Sequence, residues 1–454
     1  MDRRHFLTAT LAAAGALCVP GDAWAAPSRR RVPRPVQALT TAWDRDPWSR
    51  GAYSALPPGT SPSVRRVLGE ALIGGCIALA GEYTSAKAPA TTTGAEESGR
   101  RAARLILEGT EPASVIVIGA GMAGASSARA LVDSGVEVIV LEARDRVGGR
   151  IHSDTSWGVP VELGAAWVHG MVANPVTALA RTNGLRLLPT DYDDAQVRDT
   201  MTGRLSSAGV TAQDRMTRWV AQLEDSEGPA NESVGHWLRA RGWRPDRLGA
   251  WAAEVEITQE YGLGPGVLGV RALQEGDDLR GPDAMVSGGY ARIPETLLQG
   301  IDVRLGSAVT KVQARDGRSV VTLVDGSALS ADAVIVAVPL SLLQERVLTI
   351  DPMPVASAIS SLRTGDLEKV ILRYDEEWWD DVAVFGVIGG GVPGAPPKSL
   401  AALRWTEFYP LTQVLGFPAL VGFSGGAAAM ARPVRPVDVV SEAVAVLDAA
   451  FNGG

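Results

Sequence analysis

Gly119, Gly121 and Gly124, in the run Gly119-Ala120-Gly121-Met122-Ala123-Gly124, are followed by Glu142. A carboxylate about 20 residues beyond such a turn completes the spacing that seats a dinucleotide. The first glycine makes a tight turn, the second lets a pyrophosphate approach the backbone, and the third lets a helix pack closely on a sheet. The start of that helix offers unpaired N–H groups and the positive end of its dipole to the phosphates. Glu142 can accept hydrogen bonds from both ribose hydroxyls.

These residues need a parallel α/β unit to hold them. Residues 115–118 read as a buried strand running into the turn, a helix begins at the last glycine, and a second strand over 136–141 ends in Glu142. Residues 333–338 form another buried strand, closed by Pro339, and Asp325-Gly326 marks a hairpin turn. A helix is expected over 98–107, with Gly109 as its stop and 108–114 as the linker into the strand at 115. Between 174 and 282 the spacing of Trp219, Leu223, Trp237 and Trp251 is largely helical.

The glycine turn, with Ala143-Arg144-Asp145-Arg146-Val147-Gly148-Gly149-Arg150 and Val161-Glu162-Leu163-Gly164-Ala165-Ala166-Trp167-Val168-His169-Gly170, resembles the flavin-containing amine oxidases, especially their polyamine oxidase branch. The resemblance implies that the dinucleotide is FAD, that Arg144 and Arg150 lie along it, and that Gly164, Ala165, Ala166 and Trp167 pass beside the isoalloxazine ring. It also implies that the backbone at Val309 meets the adenine, that Glu82 lies near the ribityl and phosphate groups, and that Gly94 and Ala95 let the backbone approach the flavin. His169 resembles a substrate-facing histidine, its other reading being a structural one. Lys369, followed by Trp378-Trp379, resembles the lysine that holds a water against flavin N5; a lysine turned to solvent is the alternative. Trp405, Phe408 and Tyr409 are candidates for an aromatic wall around the substrate amine, or for core. At Ala88 this chain departs from the family, where an aromatic commonly forms one wall of that cage. No cysteine lies in the region that anchors a covalent flavin, so noncovalent FAD is expected. No metal site is expected.

The order of the segments is unusual. Trp43-Asp44-Arg45-Asp46-Pro47, Gly51-Ala52-Tyr53-Ser54, Gly81-Glu82-Tyr83 and the stretch 94–103 resemble the carboxy-terminal part of the family, yet they precede the dinucleotide turn. The sequence resembles a circular permutant, its old termini joined through the helix before residue 115. The expected fold class is α/β, a Rossmann-like FAD-binding domain with a second α+β substrate domain. Its divisions are an export signal at 1–25, a lead-in segment at 26–42, and FAD-binding parts at 43–170 and 283–340. The substrate domain takes its helical part from 171–282, and its sheet and final helix from 341–454.

Composition sets the remaining bounds. The 454 residues are 46% apolar and 21% charged, ordinary for a globular protein, and the formal charge of −8 argues against a nucleic-acid partner. No apolar run reaches the roughly 18 residues of a membrane-spanning helix, so no stable membrane insertion is expected. Arg3-Arg4-His5-Phe6-Leu7, an apolar stretch through Val19 and Ala23-Trp24-Ala25 resemble an export signal of the twin-arginine type. Cys18 lies within it, which leaves Cys76 alone and no intramolecular disulfide. A cluster at Asp191, Asp193 and Asp194 is either an attractant for a polycation or a solvated loop.

The resemblance thus implies hydride transfer from an amine to flavin N5, hydrolysis of the imine, and reoxidation by O2 to give H2O2. Two alternatives stay open: an oxidase of L-amino acids or other monoamines, which needs an arginine for a substrate carboxylate, and a flavin-binding protein with little oxidase activity.

Overall fold

The strand expected at 115–118 forms as Ser114–Ile118, its four apolar residues buried because helices and sheet cover both faces. The computed structural model describes residues 32–226, 228–276, 279–315, 317–390 and 399–453. The expected export signal lies outside the described residues.

Ser114–Ile118 sits inside a six-stranded sheet in the order Asp302–Arg304, Glu137–Leu141, Ser114–Ile118, Ala333–Val336, Ile77–Leu79 and Leu72–Ile73. The first five are parallel and the last antiparallel. Register is fixed by pairs such as Ile116↔Ile139 and Val334↔Ile77. Helix Met122–Asp133 follows the glycine turn and packs against helix Thr92–Thr110. The two approach so closely at Gly99 that a Cβ there would lie 2.2 Å from the Ala123 carbonyl oxygen.

That second helix corrects the sequence reading at both ends. It starts six residues before position 98, where the Thr91 hydroxyl accepts a hydrogen bond from Gly94 N at 3.0 Å and caps it. It also runs through Gly109 to Thr110. Gly109 is not a stop: a Cβ there would meet Leu72 at 2.6 Å, so the glycine serves packing, and the helix ends at Glu111 in the left-handed conformation. The hairpin at Asp325-Gly326 joins strands Arg318–Leu323 and Ala328–Ala331 as expected.

The second large sheet has seven strands, ordered Gln37–Thr40, Leu367–Arg373, Ala419–Gly425, Glu407–Pro410, Val384–Ile388, Ala195–Asp199 and Arg204–Leu205. Its first strand lies inside the expected lead-in segment, so residues 37–40 belong to the folded sheet. The region 171–282 also contributes strands, at Arg186–Pro189, Ala195–Asp199 and Arg204–Leu205, beside the expected helices Ser207–Glu224, Val234–Ala240 and Arg247–Ala253. Helix Pro436–Asn452 covers the outer face of this sheet through Val439, Ala443 and Leu447. Among the described residues no helix is long and apolar enough to cross a membrane.

Candidate active site

A cavity of about 290 Å³ lies between the six-stranded and seven-stranded sheets, and a second, of about 390 Å³, shares part of its wall. The first is lined by Gly119, Gly121, Glu142, Arg144, Arg150, Gly164, Ala165, Ala166, Trp167, Val309, Glu82, Ala95, His169 and Lys369, so most of the residues singled out from sequence meet around one space.

At one end the glycine turn leaves room. Gly121 caps helix Met122–Asp133 without any side-chain bond, and the nearest atom to a Cβ built on it is 3.7 Å away. Gly124 is needed for a different contact: its Cβ would fall 1.8 Å from the Gly119 carbonyl oxygen, so only glycine lets the helix close on the turn. The buried Glu142 carboxylate accepts from Ala120 N at 2.7 Å and from Arg144 N at 2.9 Å, which aims it into the cavity rim beside Val309. Arg144 forks onto Asp46 with two bonds of 2.7 Å, stitching the 43–49 turn to the cavity. Further along, Arg150 donates to Glu82 at 3.1 Å and to the Ala52 carbonyl at 2.5 Å. Burial pushes the Glu82 carboxyl up, but the charges of Arg150 and Arg65 and the Ser54 hydroxyl outweigh it and hold the group below the ordinary range. A capless helix start behind two glycines, a carboxylate fixed by two backbone N–H groups and an arginine–glutamate pair around one cavity fit FAD.

Lys369 closes the other end. It is 5% exposed, donating to the carbonyls of Glu162 at 3.0 Å and Gly164 at 2.5 Å, so it faces inward and not solvent. Burial lowers its pKa to about 8, against the pull of Glu162. Its ammonium lies 5.9 Å from the Trp167 ring and 5.7 Å from that of Phe423. His169 lines both cavities, with Nδ1 2.8 Å from Asp283, which also accepts from Gly170 N and the Tyr192 hydroxyl. Burial raises the Asp283 carboxyl, and His169 with these bonds brings it below its usual value.

Three sequence candidates sit elsewhere. Trp405 lines neither cavity; it is fully buried in the core under helix Pro436–Asn452, with its indole near Glu442. Phe408 is buried in the same core. Gly94 does not face the first cavity; a Cβ there would lie 1.9 Å from the Ala88 carbonyl oxygen, so its smallness serves the loop at 88. The aromatic wall is instead Trp167, Tyr409 and Phe423, with ring centroids 5.4 to 5.8 Å apart; Tyr409 stands edge to face with the other two, which are tilted against each other. Phe423 and Tyr53, which line both cavities, were missed by sequence reading. Phe423 had a signal in its place on an apolar strand. Asp191, Asp193 and Asp194 line neither cavity, although Tyr192 among them lines the second.

Among the described residues, the second cavity carries six carboxylates, Glu224, Asp225, Glu260, Glu275, Asp283 and Glu407, against the cations Arg65 and Lys87. Arg65 is committed: it forks onto Glu275 at 2.5 and 2.9 Å and donates to Ser54 at 2.7 Å.

A family model described as flavin containing amine oxidoreductase matches residues 22–107 and 122–452. Over 74% of its length the chain is 31% identical to polyamine oxidase 4 of Oryza sativa subsp. japonica, covering 71% of that protein. It is also 31% identical to polyamine oxidase 2 of Arabidopsis thaliana, with 70% and 68% of the two chains covered. Among solved structures, a cofactor-redesigned triple mutant of putrescine oxidase superposes with a TM-score of 0.53 at 22% identity, over 70% of this chain and 76% of that one.

Proposed function

This chain belongs to the flavin-containing amine oxidoreductases, and from that premise we propose that it is an oxidase of polyamines that binds FAD noncovalently and uses O2. The observation that carries the choice of substrate is the second cavity, whose described lining sets six carboxylates against two cations and favours a polycation over a neutral or anionic molecule. An L-amino acid finds little support there, because Arg65, the arginine lining that cavity among the described residues, is already paired with Glu275.

The turn at 119–124, Glu142 and Val309 would hold the adenosine and pyrophosphate, Glu82 and Arg150 the middle of the cofactor, and 164–167 the ring. The chemistry a bound FAD would supply is acceptance of a hydride, one proton with two electrons, from the carbon beside the amine nitrogen. The chain's own part is to present that carbon. Trp167, Tyr409 and Phe423 exclude water around the amine, and desolvation favours its neutral, reactive form. Asp283 fixes the His169 ring at the junction of the cavities, where the imidazole can orient a nitrogen. Lys369, anchored by two carbonyls in a dry corner, places a positive charge where electron density builds as O2 is reduced.

The permuted order is part of this proposal. It is supported by the two separate matched stretches and by the short passage from helix Thr92–Thr110 to strand Ser114–Ile118. Export by the twin-arginine route is proposed on Arg3-Arg4 and the apolar stretch behind them. The test is the visible spectrum of the FAD-loaded protein under nitrogen. Bleaching by spermine is expected; flavin bleached only by monoamines or amino acids would overturn the polyamine assignment.

A further inference from the structure

A chain of hydrogen bonds runs behind the junction of the two cavities, from the wall of one to the wall of the other. Arg65 and Ser54 line the second cavity, Glu82 and Arg150 the first, and Ala90 and Thr91 line both. Arg65, 1% exposed, is fixed by its fork onto Glu275, and the same guanidinium donates to the Ser54 hydroxyl at 2.7 Å. A guanidinium can only donate, so the Ser54 oxygen accepts and its single proton is left for another partner. That partner is Glu82 Oε2, 2.6 Å away. Glu82 is 4% exposed and, held ionised by the charges of Arg150 and Arg65, can itself only accept.

The Glu82 carboxylate has a further partner in the backbone. Its Oε1 takes the Arg150 bond at 3.1 Å, while Oε2 also accepts from Ala90 N at 3.1 Å. Ala90 follows Pro89 in a turn and has a φ of 62°, a left-handed conformation that favours glycine and that an alanine keeps only where its surroundings hold it. The bond to Glu82 is such a hold, and the Thr91 hydroxyl, bonded to the Ala88 carbonyl at 2.8 Å, braces the same turn from its other side. We propose that Arg65 is a positioning residue for the junction of the cavities: by turning the Ser54 proton onto Glu82 it fixes the carboxylate that pins Ala90, and so shapes the opening through which an amine reaches the cofactor. Trp167 and Phe423, which also line both cavities, complete that opening. This assignment rests on the reading that the amine enters through the second cavity, and it names the residues that keep the passage to shape.

The experiment uses the FAD-loaded full chain and follows two quantities, with flavin content and melting temperature as fold controls. One is hydrogen exchange across residues 86–95, read by mass spectrometry; the other is the dissociation constant of spermine, read from anaerobic reduction of the flavin. Ser54→Ala breaks the relay and should speed exchange at Ala90 about 10-fold and weaken spermine by a similar factor, the effect of losing one hydrogen bond to a charged group. Arg65→Met combined with Glu275→Gln leaves neither partner as a lone buried charge, and should speed exchange likewise. Adding Ala90→Gly to Ser54→Ala should bring spermine affinity back to within about threefold of the wild type, because glycine takes the left-handed turn without the pin. Ala90→Val leaves the network whole but makes that turn costlier, so it too should speed exchange, and it decides the point if Ser54→Ala does not fold. If exchange is unchanged in these variants, or if Ala90→Gly does not rescue spermine affinity, Arg65 and Ser54 only balance the buried carboxylates and the positioning role is wrong. A wild-type flavin that spermine never reduces overturns the polyamine reading, while the exchange comparison still decides whether the turn is pinned.

Discussion

Replacing Lys369 with methionine separates what this lysine does for the fold from what it does for chemistry. Methionine is unbranched and only one atom shorter, so it fills most of the same space without the charge. The displacement of the ammonium from 10.5 to about 8 measures the cost of burying its charge, about 3 kcal/mol at roughly 1.4 kcal/mol per tenfold. Removing the lysine relieves that cost but strips a donor from each of the carbonyls of Glu162 and Gly164, at about 1–3 kcal/mol apiece. The two effects nearly cancel near pH 7, and the melting temperature should move by only a few degrees. Because the folded-state pKa is depressed, the unfolded chain binds more protons between about pH 8 and 10.5, so the wild type gains stability from this group as pH rises through that window. Lys369→Met lacks the gain, and its relative stability should fall from pH 8 to 10.5. Stopped-flow mixing supplies the second readout: reoxidation of the reduced enzyme by O2 should slow about 100-fold, as for loss of a preorganised positive group, while anaerobic reduction by amine changes little. An unchanged reoxidation rate would refute the charge argument. A stability difference flat across pH 8 to 10.5 would refute the burial argument.

Other consequences can be checked independently. Gly124→Ala drives a methyl to 1.8 Å from the Gly119 carbonyl oxygen, so the turn must shift; purified protein should carry markedly less flavin, and full FAD occupancy would contradict the packing account. Glu254, buried and bonded to Gly425 N, has its carboxyl pushed up to about 8 by desolvation. Its folded-state pKa is raised, so its stabilising share is complete below about pH 4.5 and is lost as pH rises through about 8. Glu254→Gln should therefore match the wild type in melting temperature at pH 5 and exceed it at pH 8.5; equal temperatures at both would show that Glu254 does not titrate in this range.

The cofactor unit was legible in the sequence because each of its requirements is local. Strand, turn, helix, strand and terminal acid follow one another within a single stretch, and the structure keeps their order, with the helix starting at Met122, two residues before the expected Gly124, and the second strand at Glu137. The orientation of Lys369 was not legible. Strand Leu367–Arg373 is covered on both faces, so alternation along it does not distinguish an inward lysine from an outward one. Trp405 and Tyr409 illustrate the same problem: both read as aromatics near one strand, but Trp405 has a positive φ of 55° just before the strand begins and turns into the core, whereas Tyr409 turns to the cavity. The strands at 186–205 escaped notice because they are short and polar, and one ends in proline. Pairings such as Arg65 with Glu275, or Lys369 with Phe423, join distant stretches of chain, and no local pattern encodes them.

The position of strand Ala333–Val336 also bears on how the protein is made. It lies between Ser114–Ile118 and Ile77–Leu79, which are synthesised long before it and do not pair with each other. On the ribosome both earlier strands therefore wait with open apolar edges, the kind of surface that invites aggregation or chaperone binding. The glycine turn waits with them, because Gly119 is packed against the Ala337 carbonyl and Ala337 N bonds to Ile118. Capture of the nucleotide is thus a late event in biogenesis, and a chain arrested before residue 333 would hold every glycine of the motif without the sheet that makes it a binding site.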